Sequence, residues 1–143
     1  MTPRDYQAPS AVVAAFYFFL MAWTCVSVLF LIARISRSEI SDVLQVLMIT
    51  GILCFTWYFS LGLFYRIRME GDGTVFLAGV RKTAKVHPRE IEAVEGPFLP
   101  LGFVRLKSKG EKHYLLCWVR DEDLLAILKR IGEINPGIDF KTR

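Results

Sequence analysis

Histidine and cysteine are scarce in this 143-residue chain, two and three residues respectively, and neither recurs at a spacing that chemistry uses. Cys25, Cys54 and Cys117 form no C-x-x-C pair. An odd, dispersed set of this kind makes neither a disulfide framework nor a zinc site, so the three are read as buried structural thiols. His87 and His113 show no H-E-x-x-H or related ligand spacing. No G-x-S-x-G motif occurs, and the acidic residues mostly cluster with bases, as on solvated faces. The expectation is a non-enzymatic protein with no metal and no cofactor.

Charge is also missing from two long stretches. Residues 11–33, AVVAAFYFFLMAWTCVSVLFLIA, carry none; as a helix they would span roughly 34 Å against a hydrocarbon core of about 30 Å. Residues 43–65, VLQVLMITGILCFTWYFSLGLFY, repeat the pattern with Gln45 as the one strongly polar side chain. A cleaved signal peptide would need a basic leader and a shorter apolar run, whereas MTPRDYQAPS balances one Arg against one Asp. The sequence therefore predicts a tail and a two-helix transmembrane hairpin over residues 1–65. Since an ionisable residue inside the bilayer is the usual mark of a transport path, their absence argues against a channel or transporter core. A subunit lining such a path would need partner chains to supply the polar groups.

The connector RISRSEISD is short, so both chain ends should lie on one side of the membrane. Arg34 and Arg37 sit in it, while Arg4, Arg66 and Arg68 flank the other ends with Arg81, Lys82 and Lys85 close behind. By the positive-inside rule both termini are expected in the cytoplasm. Small residues Ala11, Ala15 and Ala22 on the first helix, and Gly51, Ser60 and Gly62 on the second, would allow close packing within the hairpin or against a foreign helix.

After Tyr65 the hydrophobic period becomes two. In YRIRM, Tyr65, Ile67 and Met69 alternate with Arg66 and Arg68, as in a strand with one wet face. EGDG supplies a hairpin turn, with Gly71 and Gly73 suited to positive φ, and TVFLAGV follows as a strand. GDG is no phosphate loop, because a strand and not a helix follows it. RKTAKVHP predicts a third strand ended by Pro88, then REIEAVEG a short turn or strand with Ile91 and Val94 inward. FVRLK and HYLLCWV predict a hairpin with Lys109 and Gly110 near its tip. Asp121 is a fitting N-cap for a helix whose apolar stripe is Leu124, Leu125, Leu128 and Ile131, with Ile127 beside it, and NPG ends it.

Residues 64–138, led by membrane helices, running through VRKTAKVHPREIEAVEG and closing on INPGI, resemble the bacterial pleckstrin-homology-like (bPH) domain proteins. The resemblance rests on the basic strand, the P-x-E-I corner and the V-E after it. It implies a half-open antiparallel β-barrel over residues 66–143, plugged by the C-terminal helix and used for binding or oligomerisation. Fewer strands are readable here than that barrel needs.

The remaining signal is electrostatic. Arg66, Arg68, Arg81, Lys82, Lys85 and Arg89 face Glu70 and Asp72 in the same stretch. Cations near an anionic leaflet each contribute on the order of 1 kcal/mol. The segment is thus a topology signal, a contact for membrane lipids, or a contact for an acidic protein partner. Nucleic acid is not expected, since no base-stacking aromatics accompany the charges. Phe98, Leu99 and Leu101, set beside Pro97 and Pro100, either tuck beneath the sheet or form an apolar patch. The leading expectation is an accessory or assembly subunit at the bacterial inner membrane, docking other membrane subunits or its own copies, with anionic-lipid binding as the alternative.

Overall fold

The computed structural model describes residues 4–36, 39–97 and 99–142. Two units are distinguishable by their internal contacts: residues 10–60, and residues 1–9 together with 61–143.

The first unit is a helical hairpin, α1 (Ser10–Ile35) and α2 (Ile40–Leu61). Both helices are long and apolar enough to cross a membrane. The second begins and ends earlier than residues 43–65, because Phe64 and Tyr65 belong to the sheet that follows, where Phe64 is buried. Two polar contacts join the helices along their length. The Tyr17 hydroxyl donates to the Ser60 carbonyl at 3.1 Å, and Trp57 Nε1 donates to Thr24 Oγ1 at 2.9 Å. Near the connector, Arg34 pairs with the buried Asp42 at 3.0 Å. In a hydrocarbon environment such bonds replace the apolar driving force that water would supply.

The second unit is a sheet capped by a helix. Its strands are β1 (Arg4–Gln7), β2 (Phe64–Met69), β3 (Val75–Gly79), β4 (Thr83–Val86), β5 (Ile91–Gly96), β6 (Leu101–Ser108), β7 (Glu111–Trp118) and β8 (Asp139–Thr142), with α3 (Glu122–Ile134) after β7. Their order is β4-β3-β2-β7-β6-β5-β8, with β1 added to β2. The sheet is mixed, not wholly antiparallel as expected. β8 runs parallel to β5, and β2 meets β7 in parallel at Phe64 and Leu115. The reason for the first is that α3 carries the chain back along the sheet before β8 begins.

β1 is the least anticipated element. The N-terminal residues, expected to belong with the hairpin, instead join the sheet: Arg4 to Gln7 pair antiparallel with Met69 to Arg66. Tyr6 is buried, its hydroxyl accepts from the Trp118 backbone N–H at 2.9 Å, and Ala8 N donates to Tyr65 O at 2.7 Å. The hairpin is therefore inserted between two paired strands.

The alternation of β2 holds: Ile67 and Met69 are buried while Arg68 is exposed. Of the two turn glycines, Gly73 takes positive φ, +89°. Ile67, Leu77, Val104 and Leu115 form a core with Leu124, Ile127 and Ile131 of α3. Each such side chain contributes roughly 1.5–3 kcal/mol by burial. Leu125, expected in the stripe, is exposed, because spacings of three and seven from Leu124 place Ile127 and Ile131 inward instead. Asp121 caps α3, accepting from Asp123 N at 3.0 Å and Leu124 N at 3.3 Å.

At the other end of α3, Asn135 Nδ2 donates at 3.1 Å to both Pro88 O and Ile91 O, and its Oδ1 accepts from Gly137 N at 3.2 Å. One side chain thus ties the helix stop to the 3-10 turn Pro88–Glu90. Asn135→Ala should lower stability by about 1–3 kcal/mol, since it leaves two carbonyls short of a donor. Chemical denaturation of the full-length protein checks this, and an unchanged midpoint would refute it.

Candidate functional site

The six basic residues that the sequence groups together are divided among three places. Arg66 and Arg68 project from the outer face of β2, and Lys85 from β4. Register places Asp5, Arg68, Phe76 and Lys85 in one row across four strands. Arg66 is committed to Asp5, with Nε at 2.9 Å from Oδ1. That bond, and then the nearby positive charges of Arg66 and Arg68, hold the Asp5 carboxyl below its ordinary value despite an opposing desolvation cost.

Arg81 and Lys82 occupy the turn between β3 and β4. Gly79 N donates to Lys82 O at 2.8 Å. A Cβ on Gly79 would lie 2.3 Å from the Leu63 carbonyl oxygen, so only glycine lets this turn close against the residue before β2. The turn walls a groove of about 600 Å³ shared with Gly62, Phe64, Glu111, Lys112 and His113. Lys112 is not among the residues expected from the sequence, and His113 is considered there only as a metal ligand, because β7 brings both in from a distance; the signal was the basic cluster KGEKH at the β6–β7 turn. The His113 ring stands edge-on to Phe64, centroids 5.7 Å apart. Burial lowers the pKa of this imidazole; Glu111 pulls it back up and Lys82 lowers it further.

Arg89 lies elsewhere, in the 3-10 turn, lining a separate cleft with Glu70, Asp72, His87 and Arg130. His87 Nδ1 accepts from Arg89 N at 3.3 Å. Asp72 accepts from the backbone and hydroxyl of Thr74, both at 2.9 Å, which lowers its pKa.

Of the proposed apolar patch, Phe98 lies outside the described residues. Leu99 and Leu101 are 65% and 41% exposed, so neither is tucked beneath the sheet. Trp118, 42% exposed, stands directly opposite Leu101 on the neighbouring strand. Its alternation with buried Cys117 was the sequence signal for an outward Trp.

In the hairpin, Ala11, Ala15, Ala22 and Gly51 are exposed, and no atom approaches a Gly51 Cβ within 4 Å. They do not form the contact between these two helices. Ser60 is buried there, and Gly62 belongs to the basic groove. Cys25 and Cys54 are exposed, contrary to expectation, because their positions face outward from the hairpin; Cys117 is buried. Among the described residues, no group of three His, Cys, Asp or Glu side chains is arranged to hold a metal ion. Compared with family models, curated proteins and solved structures, the chain matches none.

Two outcomes follow from the buried groups. Because the His113 pKa lies below its unfolded value of about 6.5, the unfolded chain binds the extra proton first, and stability should fall as pH drops below about 6.5. Thermal melts between about pH 7.5 and 5.5 should show a smaller loss for His113→Gln; an identical pH slope in the variant would refute the assignment. Burial pushes the Cys117 thiol up to about 11. In a Cys25→Ser/Cys54→Ser background it should resist maleimide until denaturant unfolds the protein, and prompt labelling of the native protein would contradict this.

Proposed function

We propose that the chain is a non-enzymatic, membrane-anchored interaction module. The hairpin holds a pleckstrin-homology-like domain on the cytoplasmic face of a bacterial inner membrane, where it docks a partner protein or another copy as an accessory or assembly subunit. The positive-inside rule supports this orientation: Arg4, Arg66, Arg68, Arg81, Lys82 and Lys85 belong to the sheet unit, against Arg34 and Arg37 at the connector. The observation that carries the docking role is the pair of outward apolar side chains, Leu101 and Trp118, extended by Leu99. Large apolar groups held side by side on strands facing water fit a partner surface better than a solvated one.

A second reading, binding of anionic lipid at the cytoplasmic leaflet, draws on the convergence of Arg81, Lys82 and Lys112 round one groove.

Native mass spectrometry of the tagged full-length protein, extracted from its own membranes in mild detergent, tests the docking role. The expected result is a second subunit, foreign or identical, at fixed stoichiometry, lost on Leu101→Lys/Trp118→Ser. A lone wild-type chain, or a variant that keeps its partner, would overturn the reading.

A further inference from the structure

We infer that the groove walled by Arg81, Lys82, Lys112 and His113 is a phosphate site, and that the phosphate it takes belongs to the headgroup of an anionic phospholipid. This inference rests on the membrane reading of the hairpin. It adds to the docking role a specific ligand at a specific place, distinct from the apolar patch on β6 and β7.

Two segments far apart in sequence supply the charge. The β3–β4 turn brings Arg81 and Lys82, and the start of β7 brings Lys112; among the described residues, the one carboxylate on the wall is that of Glu111. Arg81, Lys82 and Lys112 are exposed at the groove rim, while His113 is half-buried behind them. A phosphate diester carries one negative charge and several acceptor oxygens, which suits a wall of cationic donors and no excess of carboxylates. The volume, about 600 Å³, is ample for a phosphate with its ester substituents.

The chain itself indicates the source of that phosphate. Gly62 lines the groove and directly follows Leu61, the last residue of the second spanning helix. A spanning helix ends where hydrocarbon gives way to headgroups, so Gly62, one residue beyond it in the chain, is kept close to lipid phosphates. The contact of Gly79 with Leu63 fixes the basic turn to this same stretch of backbone. The other cations do not offer this combination. Arg66 and Arg68 lie on β2 and Lys85 on β4, outside the groove, and Arg89 lines a separate cleft with Glu70 and Asp72.

The test uses the full-length protein in a neutral detergent, offered equal amounts of phosphatidylglycerol and phosphatidylcholine, with retained lipid counted by native mass spectrometry. Wild type should retain phosphatidylglycerol in preference, and Lys82→Gln/Lys112→Gln should reduce that preference by about tenfold. Arg68→Gln/Lys85→Gln, which removes two cations outside the groove, should leave it unchanged. If the groove double variant melts early, the single variants Lys82→Gln and Lys112→Gln replace it, each reducing the preference part-way. Excess inorganic phosphate should not displace the lipid. Equal retention of both lipids, or an undiminished preference in the groove variant, would overturn the proposal; displacement by inorganic phosphate would overturn the lipid as its source. Recovery of the chain in the soluble fraction of its own cells would instead mean that the membrane reading had failed, an outcome separate from a membrane-bound chain without lipid preference.

Discussion

The pairing of residues 4–7 with residues 66–69 is the constraint on which the rest depends. It requires the two strands that lead into and out of the hairpin to lie side by side. Two residues, Ala8 and Pro9, join β1 to α1, and two, Gly62 and Leu63, join α2 to β2. Each link reaches at most roughly 10 Å, so the hairpin's ends cannot spread apart without pulling this ladder open. The Arg66–Asp5 ion pair, the buried Tyr6 ring and its hydroxyl contact with Trp118 N all reinforce the same ladder. A half-exposed ion pair such as Arg66–Asp5 contributes little by itself; the burial of Tyr6 is the larger effect.

From this pairing follows the division of the surface. Asp5 arrives with β1 and pairs with Arg66, the first cation after the hairpin. Of the others, Arg68 and Lys85 stay on the faces of β2 and β4, Arg81 and Lys82 fall at the turn nearest Leu63, and Arg89 lies beyond the far end of β4 beside the β2–β3 turn. The apolar groups Leu101 and Trp118 sit at the open end of the β6–β7 hairpin, away from its Lys109–Gly110 tip. One small domain therefore presents a basic groove and an apolar patch at different places.

What could be read in advance was local. The spans, the YRIRM alternation, the EGDG turn and the Asp121 cap each depend on residues within a few positions of one another, and each was visible in the chain. What could not be read was non-local. RDYQ is four residues of mixed polarity whose strand character comes from its partner, sixty residues on. β8 lies beyond the NPG helix stop and takes its place from β5. Likewise, the groove's Lys112 and His113 join Arg81 and Lys82 through a parallel contact between β2 and β7 that no periodicity announces. Leu125 was misplaced for a related reason: a run of apolar residues at the start of a helix leaves its inward face open until the sheet selects it.

In the proposed topology, the connector of the hairpin would lie on one side of a membrane and residues 4–9 and 61–142 on the other. The most direct measurement is labelling by a membrane-impermeant maleimide in intact and permeabilised cells, using Glu39→Cys in the connector and Lys129→Cys on α3, each in a Cys25→Ser/Cys54→Ser background. The account predicts that Glu39→Cys labels in intact cells and that Lys129→Cys labels only after permeabilisation. Labelling of both positions in intact cells, or of Lys129→Cys alone, would contradict it.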